Sequence, residues 1–312
     1  MRSLLKETDK MRVAVFGKKL EQSFLPSLRQ LMDCLREEGI GVVCEEGFAR
    51  LLKDRFDYTP GFAGYFNRQG LSREEADMLL SIGGDGTFLD SVVFVKDSGV
   101  PEMGVNSGRL GFMANVPADE IPETVKCIAS GHYVTERREM LQLRVDDSVI
   151  PGFDYALNEV GILKAATSSL LNIHAYIGEV YLTTYWADGL VVATPTGSTA
   201  YSLSGGGPIV SPDCRNIILT PICPHNLSMR PLVVPNDARI RLKVESRSGD
   251  FVLSMDSRIQ KMDDRHCLEI RMNDVKLSVV ALKGHNYYET LRNKLMWGED
   301  RRNSLKNINE AN

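Results

Sequence analysis

A glycine-rich pentapeptide, Gly83-Gly84-Asp85-Gly86-Thr87, is the part of this sequence best suited to phosphate chemistry. It follows an apolar run typical of a strand, Met78 to Ile82, and precedes residues with the composition of a helix, Phe88 to Lys96. Glycines let backbone N–H groups approach a phosphate with no Cβ in the way, and the start of a helix adds partial positive charge. A carboxylate would repel that phosphate, so Asp85 makes sense as a base that takes a proton from an attacking sugar hydroxyl. The alternative is an ordinary strand-to-helix turn that Asp85 caps.

Other nucleotide fingerprints and metal-binding clusters are absent from the sequence. It contains neither the GxxxxGK[ST] of P-loop proteins nor the GxGxxG of dinucleotide-binding dehydrogenases, so any phosphate chemistry belongs to another class. The five histidines and six cysteines are dispersed and form no CxxC pair or zinc spacing. We therefore predict no metal site built from protein ligands, and we interpret the cysteines as reduced thiols of a cytosolic protein.

A second candidate binding segment combines an acidic turn at Asp188-Gly189 with a buried strand, Leu190 to Ala193, and a hydroxyl-rich run. Seven hydroxyl-bearing residues lie between Thr194 and Ser204. Their side chains and the nearby exposed backbone can hydrogen-bond a polar ligand. A flexible Ser/Thr/Gly linker is the alternative, but Tyr201 and Leu203 inside the run disfavour it.

The dipeptide Asn158-Glu159 is a weaker candidate. A carboxylate beside an amide can bind a ribose diol, because the diol donates two hydrogen bonds. An exposed strand end could carry the same pair without any function, so the dipeptide alone leaves both interpretations open.

The elements around the glycine-rich loop predict a parallel sheet. Arg12 to Phe16 has the composition of a strand, helical spacing predicts a helix over Ser27 to Glu38, and Val42 starts a second strand. This order is the βαβ pattern of an α/β domain. A further strand, Met103 to Val105, follows the loop, whereas the glycines of Asp57 to Gly70 predict an irregular segment.

The pattern changes at about Glu139, where short alternating runs predict antiparallel strands joined by turns. The clearest runs lie at Leu141–Val145, Ile173–Tyr176, Ile240–Val244 and Leu277–Ala281. A terminal helix is predicted over Asn286 to Trp297, and the polar tail Glu299 to Asn312 has the composition of a disordered segment. The second half of the chain is therefore expected to be rich in β-structure.

Composition and charge narrow the classes of partner. A formal net charge of −4 and a pI near 5.8 argue against the basic surface that nucleic acid requires. Met1 to Lys10 is charged and has no apolar run typical of a signal peptide, and no stretch approaches the roughly 20 apolar residues that span a bilayer. We therefore expect a cytoplasmic protein that binds neither nucleic acid nor membrane. The first strand begins directly after Met11, which makes Met11 a second candidate for the start.

Together these segments resemble the NAD kinase family over nearly the whole chain. The likeness comprises the glycine-rich loop, Asn106-Ser-Gly-Arg-Leu-Gly-Phe112, Asn158-Glu159, Asp188-Gly189-Leu190, the hydroxyl-rich run, His225-Asn-Leu-Ser-Met-Arg-Pro231 and Tyr288 to Gly298. Gly-Gly-Asp-Gly alone also occurs in diacylglycerol-type lipid kinases and, more loosely, in phosphofructokinases. The hydroxyl-rich run in combination with Asn-Glu is far more specific.

The resemblance implies an α/β amino-terminal domain with a parallel, Rossmann-like sheet and an all-β sandwich as the carboxy-terminal domain. The first domain would comprise residues 1–138 with 283–312, including a final helix that returns to it, and the second residues 139–282. The implied reaction transfers the γ-phosphoryl group of ATP to the adenosine 2′-hydroxyl of NAD, forming NADP and ADP, with Mg²⁺ held mainly by ATP oxygens. Such enzymes are usually homodimers or homotetramers whose sites borrow residues from a neighbouring subunit.

The resemblance also implies residue roles. Asp85 would be the general base for in-line attack on the γ-phosphoryl group, while the rest of the loop, Gly83, Gly84, Gly86 and Thr87, would face the phosphates. Asn158 and Glu159 would bind the adenosine of NAD. Their pocket would be completed by Asp188, Thr199, Ala200, Tyr201, Ser202, Leu203 and Ser204. At Asp256-Ser257-Arg258 many relatives carry Asp-Gly-Gln, so no ligand contact carries over to these positions.

Two alternatives remain. A lipid kinase would need an apolar channel, whereas the sequence after Asp188 is rich in hydroxyls. A catalytically inactive NAD sensor on the same fold would not need Asp85 together with Asn158, Glu159 and Asp188. An assay of phosphoryl transfer to NAD, with and without Mg²⁺, separates these alternatives from a kinase.

Overall fold

We describe the fold from a computed structural model of the chain. It describes residues 11–67, 70–108, 111–165, 170–282, 284 and 286–297, so the predicted disordered tail lies outside the described residues. The chain divides into two compact units. Of the described residues, the first unit contains those from Met11 to Glu136 and from Ser278 to Trp297, and the second contains those between Arg137 and Leu277.

The described residues contain twenty strands and six α-helices. The strands are β1 (Arg12–Gly17), β2 (Gly41–Glu45), β3 (Gly64–Phe66), β4 (Met78–Gly83), β5 (Glu102–Asn106), β6 (Ala114–Val116), β7 (Tyr133–Arg138), β8 (Leu141–Val145), β9 (Tyr155–Ala156), β10 (Glu159–Lys164), β11 (Leu171–Ile177), β12 (Val180–Ala187), β13 (Gly189–Ala193), β14 (Asn216–Ile222), β15 (Leu232–Pro235), β16 (Ile240–Glu245), β17 (Asp250–Met255), β18 (Arg258–Asp263), β19 (Cys267–Met272) and β20 (Leu277–Leu282). The helices are α1 (Leu25–Glu37), α2 (Glu46–Phe56), α3 (Asp85–Val95), α4 (Ile121–Ser130), α5 (Tyr201–Ser204) and α6 (Tyr287–Leu295). Among the helices described, none is long and apolar enough to cross a membrane.

The first unit is built on one sheet with the strand order β3-β2-β1-β4-β5-β20-β7, and β6 pairs with β5. The pairings of β1 with β2 and β4, and of β4 with β5, are parallel, which confirms the predicted α/β sheet. Helix α1 buries Leu28, Leu31 and Leu35, which recur every three or four residues and therefore lie on the face toward the core.

The second unit contains two antiparallel six-stranded sheets. One has the order β15-β14-β13-β10-β17-β18 and the other β12-β11-β16-β19-β8-β9. A single apolar core includes Ile162 and Leu253 from the first sheet and Ile173 and Leu242 from the second. Residues of both sheets thus fill one core, as in a β-sandwich, and the predicted all-β architecture of this half is confirmed.

Two local predictions differ from the structure. The segment Asp57 to Gly70, expected to be irregular, contains the three-residue strand β3, which pairs with β2 at the sheet edge and is too short to show alternation. The run at Leu277 to Ala281 is a strand, but it pairs parallel with β5 and not with the antiparallel sheets. It is buried at nearly every position, which is typical of a strand inside a parallel sheet covered on both faces.

Candidate functional site

The glycine-rich loop lies where β4 ends and α3 begins, at the carboxyl edge of the parallel sheet. Ligands of open α/β sheets bind at this edge. Gly84 is the residue that precedes the first helical turn, and both Gly84 and Gly86 are exposed. Apart from the neighbouring backbone, no atom of the described residues lies within 4 Å of the position that a Cβ would take at either glycine, so a phosphate can approach the backbone there. Thr87 is half-buried and packs against Gly83.

The carboxylate of Asp85 anchors a distant loop and does not cap its own helix. It accepts hydrogen bonds from the backbone N–H groups of Phe112, Met113 and Ala114, each at 2.9 Å, which lie 27 to 29 positions along the chain. A Cβ at Gly111 would overlap Asp85 Oδ1, so the loop can approach this closely only with glycine there. The turn-capping alternative for Asp85 therefore does not describe its contacts.

A lysine of the last helix supplies the fourth contact to Asp85. Lys294 Nζ lies 3.2 Å from Asp85 Oδ2 and 4.8 Å from the centroid of the Phe112 ring. Burial raises the pKa of Asp85, but the hydrogen bonds from Ala114, Phe112 and Met113 and the charge of Lys294 together bring that pKa below its usual value. Asp85 is therefore ionised at neutral pH, as a base must be before it can accept a proton.

In the second unit, a buried aspartate holds the backbone around Asn158-Glu159. Asp256 accepts hydrogen bonds from the N–H groups of Leu157 and Asn158, both at 2.8 Å, and of Glu159 at 3.2 Å. It occupies the turn between β17 and β18 with a φ of 51°, in the left-handed region that aspartate tolerates better than most residues. The β17–β18 turn thus fixes the position of the predicted adenosine-binding pair.

Glu159 is a buried carboxyl group with unused hydrogen-bonding capacity. Only 8% of the residue is exposed, and among the described residues its Oε2 atom has no hydrogen-bond partner. Burial raises the pKa of Glu159 to about 8, and the nearby charge of Asp256 contributes, while a hydrogen bond from the Tyr201 N–H acts in the opposite direction. Buried polar atoms are nearly always paired, so this oxygen is suited to receive a ligand hydroxyl.

The hydroxyl-rich run folds against Asn158. Thr194 Oγ1 donates to the Leu157 carbonyl at 2.6 Å, and a Cβ at Gly197 would overlap the Asn158 carbonyl oxygen. The run therefore approaches the Asn158 backbone as closely as glycine allows, and the Tyr201 N–H reaches Glu159. The structure brings Asn158, Glu159 and the start of α5 together.

The predicted ligand residues of this run differ in exposure. Tyr201 and Ser204 are exposed, and Thr199, Ala200 and Leu203 are half-buried. Ser202 is fully buried, and its hydroxyl pairs with Thr220 Oγ1 at 2.8 Å. The Ser202 hydroxyl is therefore engaged inside the unit and supports the run, whereas its neighbours present atoms to solvent.

Asp188 lies apart from Asn158-Glu159 within the chain. The register of β10 with β13 pairs Glu159 with Ala193 and Leu163 with Gly189, the residue after Asp188. At roughly 3.3 Å per strand residue, Asp188 is about 13 Å or more from Glu159. Its carboxylate instead contacts Lys164 Nζ at 2.6 Å.

Arg258 has a structural role in the second unit. Its guanidinium donates to the carbonyls of Gly152, at 3.0 Å, and of Tyr155, and it lies 4.2 Å from the centroid of the Tyr155 ring. It also lies 3.7 Å from Asp256. Arg258 thus joins the β17–β18 turn to the segment before β10.

The contacts that three residues make at these sites were not predicted from the sequence. Lys294 lies inside the quoted segment from Tyr288 to Gly298, but spacing along the chain does not connect it with Asp85. Asp256 binds the N–H groups of Leu157 and Asn158, 99 and 98 positions earlier in the chain. Gly111 lies in a separate loop, against the carboxylate of Asp85. Only an alignment of relatives or a structure could have revealed these pairings.

The described residues include no group of three His, Cys, Asp or Glu side chains arranged to hold a metal ion. The oxygens of Asp85 are already used by backbone N–H groups and Lys294. The Asp85 oxygens therefore do not suit a metal ion held by protein ligands alone.

Comparison with known proteins gives one consistent result. The family model described as the ATP-NAD kinase N-terminal domain matches residues 13–133, and that of the ATP-NAD kinase C-terminal domain matches residues 157–282. The NAD kinase of Bacteroides fragilis is 42% identical over 94% of this chain and 100% of the relative. The NAD kinases of Flavobacterium johnsoniae and Cytophaga hutchinsonii are 38% and 40% identical over the same shares.

Solved structures show the same fold at lower identity. Yeast NADH kinase complexed with NADH superposes with a TM-score of 0.83 at 24% identity and covers 96% of this chain and 91% of its own. An NAD kinase from Archaeoglobus fulgidus in complex with ATP superposes with a TM-score of 0.69 at 22% identity, covering 92% of this chain and 99% of its own.

Proposed function

This chain belongs to the ATP-NAD kinase family, and we propose that it transfers the γ-phosphoryl group of ATP to the adenosine 2′-hydroxyl of NAD. The products are NADP and ADP. The observation that carries the proposal is the ionised carboxylate of Asp85 at the first turn of α3, beside glycines open to a phosphate. A phosphoryl transferase can use a negative charge at that point as a base, in addition to its contacts with the backbone of Phe112 to Ala114.

The chemistry assigned to Asp85 is proton removal. The 2′-hydroxyl oxygen forms a bond to the γ-phosphorus while the bond from that phosphorus to the β–γ bridging oxygen breaks. The hydroxyl proton passes to Asp85, and the electron pair of the broken bond leaves with ADP. Gly83, Gly84, Gly86 and Thr87 contribute the loop that faces the phosphates.

Binding of NAD is assigned to the second unit. Glu159 Oε2 is the acceptor for a ribose hydroxyl, because it is buried and has no partner among the described residues. Asn158 and the exposed or half-buried atoms of Thr199, Ala200, Tyr201, Leu203 and Ser204 line the adenosine pocket. Ser202 supports the pocket through Thr220.

A divalent cation, which we take to be Mg²⁺, would enter with ATP. Hard cations of this kind prefer oxygen ligands, and the phosphate oxygens of ATP supply them. The described residues offer no cluster that would hold it independently.

A homodimer or homotetramer accounts for the position of Asp188. Since it lies about 13 Å or more from Glu159 in its own chain, it can serve the adenosine pocket of a second copy. Light scattering of the purified protein measures the subunit number. We place the enzyme in the cytoplasm, in keeping with its six free cysteines.

A coupled assay of NADP formation from NAD, ATP and Mg²⁺ tests the function, with Asp85→Asn measured in parallel. Loss of the base should lower kcat about 10²- to 10⁴-fold. NAD should still bind, because its assigned pocket is in the second unit. Folded wild-type protein that makes no NADP would contradict the proposed reaction, and Asp85→Asn with near-normal turnover would contradict the proposed base.

A further inference from the structure

The four hydrogen bonds to Asp85 leave no room for a fifth. Oδ1 accepts from Met113 and Ala114, and Oδ2 accepts from Phe112 and from Lys294 Nζ. A carboxylate offers about four acceptor positions, so all are taken. A general base must have one of them open to the proton it removes, at about 2.6 to 3.2 Å from the donor oxygen.

Lys294 is the partner that can leave. The other three donors are consecutive backbone N–H groups of one segment, which cannot withdraw singly without rebuilding the loop. Lys294 has the longest of the four contacts, 3.2 Å, and its side chain is 31% exposed on a flexible stem. Its departure would open an acceptor position on Oδ2, which would then keep one hydrogen bond, from the Phe112 N–H.

A phosphate near the loop would give the ammonium group somewhere to go. Any hydroxyl that donates to Asp85 and attacks phosphorus brings phosphoryl oxygens within a few ångströms of Oδ2, which Lys294 Nζ already contacts. The Phe112 ring under the ammonium group, itself 6.5 Å from the Tyr287 ring, keeps that group near the loop. Lys294 would then neutralise charge on the transferred group, which is where catalysis of phosphoryl transfer is effective.

We propose that Lys294 is an exchangeable partner of Asp85: it occupies Oδ2 in the free enzyme and moves onto a γ-phosphoryl oxygen when ATP binds. The exchange opens Oδ2 to the 2′-hydroxyl and places a positive charge on the phosphoryl group in one movement. This inference rests on the proposed function, in which Asp85 is the base.

Steady-state kinetics of Lys294→Met and Lys294→Arg, across a range of pH, test the exchange. Lys294→Met should lower kcat about 10- to 100-fold, as expected for one charge-assisted hydrogen bond, and should raise the KM for ATP but not for NAD. Among the described residues, Lys294 is the charged side chain that acts on Asp85, so its removal should also move the acidic limb of the pH profile of kcat/KM to higher pH. Lys294→Arg keeps the charge and should recover part of kcat.

Lys261→Met is the matched control, since it removes another lysine–aspartate pair, the 2.5 Å contact with Asp250 in the second unit. It should leave kcat and the pH profile unchanged. A purely structural lysine would lower thermal stability without moving the acidic limb, and that result would overturn the proposal. A rise in kcat of Lys294→Met would also overturn it, because it would show that the lysine only blocks the base.

The Asp85→Asn enzyme separates the two proposals. If Asp85→Asn is inactive while Lys294→Met has a normal kcat and pH profile, the result supports Asp85 as the base and contradicts the exchange of Lys294. If Asp85→Asn is active, the base itself is wrong. If both proposals hold, adding Lys294→Met to the Asp85→Asn enzyme should lower kcat much less than Lys294→Met lowers it in the wild-type enzyme, because the two residues act as a unit.

Discussion

The carboxyl groups of Glu159 and Asp256 are buried neighbours in the second unit, connected by the Glu159 N–H, which donates to Asp256 at 3.2 Å. Burial raises the pKa of both, and the charge of Asp256 adds to the effect on Glu159, whose pKa reaches about 8. At neutral pH the Glu159 side chain therefore carries a proton while its Oε2 has no partner among the described residues. A ligand hydroxyl that donates to Glu159 must favour the ionised form.

Binding of NAD should accordingly release a proton below about pH 8. Hydroxyls that donate to the carboxylate lower its pKa, so the affinity for NAD should increase with pH by up to about tenfold per unit and level off above that pKa. Calorimetry in buffers of different ionisation enthalpy measures the released proton directly. Glu159→Gln should bind NAD without proton release, and Asp256→Asn should move the dependence to lower pH because it removes the neighbouring negative charge. Binding without proton release by the wild-type protein would contradict a ribose hydroxyl at Glu159.

Gly111→Ala should disable the Asp85 centre with little change to the nucleotide pocket of the second unit. The new Cβ would overlap Asp85 Oδ1, so either the carboxylate or the loop must move. A misplacement of about 1 Å can cost roughly 100-fold in kcat, and we expect a loss of that order with the KM for NAD nearly unchanged. Gly108→Ala is the control in the same loop, since among the described residues no atom beyond its chain neighbours lies within 4 Å of its Cβ position, and its effect should be far smaller. Equal losses in the two variants would show that Asp85 is not the sensitive point.

Glu102 should make the protein less stable as pH rises. It lies in β5 with no exposed surface, where burial raises its pKa well above the usual value although Ser91 Oγ donates to it. Above the unfolded-state pKa of about 4.3 the unfolded chain loses this proton while the folded chain keeps it, so the free energy of unfolding falls by up to about 1.4 kcal/mol per pH unit. Burial of Glu159 adds a second contribution of the same sign up to about pH 8.

Urea unfolding of Glu102→Gln between about pH 5 and pH 9 checks this expectation. A neutral amide should flatten the dependence and make the variant more stable than the wild type at the alkaline end. Glu179→Gln, at a side chain that is 88% exposed, is the control and should leave the slope unchanged. Parallel curves for wild type and Glu102→Gln would show that Glu102 is not held in its neutral form.

Arg258→Gln should destabilise this chain. It removes the contacts with the carbonyls of Gly152 and Tyr155 and the stacking on the Tyr155 ring. We expect a loss of about 2 kcal/mol in the free energy of unfolding, from these charged hydrogen bonds and the cation–π contact. Thermal melting compares the variant with Arg265→Gln, which removes an exposed arginine paired with Asp263 and should have a much smaller effect. Unchanged melting of Arg258→Gln would show that these contacts are not needed for stability.

Local features of the sites could be predicted from the sequence, and contacts between distant segments could not. The glycine-rich loop, its strand and its helix follow from residues 78–96 alone, and the structure has them as β4 and α3. The partners of Asp85 lie 27 to 29 and 209 positions away, beyond what spacing reveals. Asp256 reaches Asn158 across 98 positions for the same reason.

The composition of a segment predicts a strand but does not predict the strand's partners. The run at Leu277 to Ala281 was correctly predicted as a strand, but its assignment to the antiparallel half was wrong because a short apolar run does not reveal which sheet it joins. Only pairing with β5 decides that. The ligand roles of Asp85, Asn158, Glu159, Asp188 and the hydroxyl-rich run stay predictions.

The 209-residue separation of Asp85 from Lys294 has a consequence for synthesis. At roughly 5 to 20 residues per second, the ribosome makes Lys294 about 10 to 40 seconds after Asp85. Strand β20, which pairs with β5 within the first sheet, is also among the last segments to emerge. A nascent chain therefore carries the glycine-rich loop long before it can complete the ion pair there, and a chain truncated before α6 lacks that pair altogether.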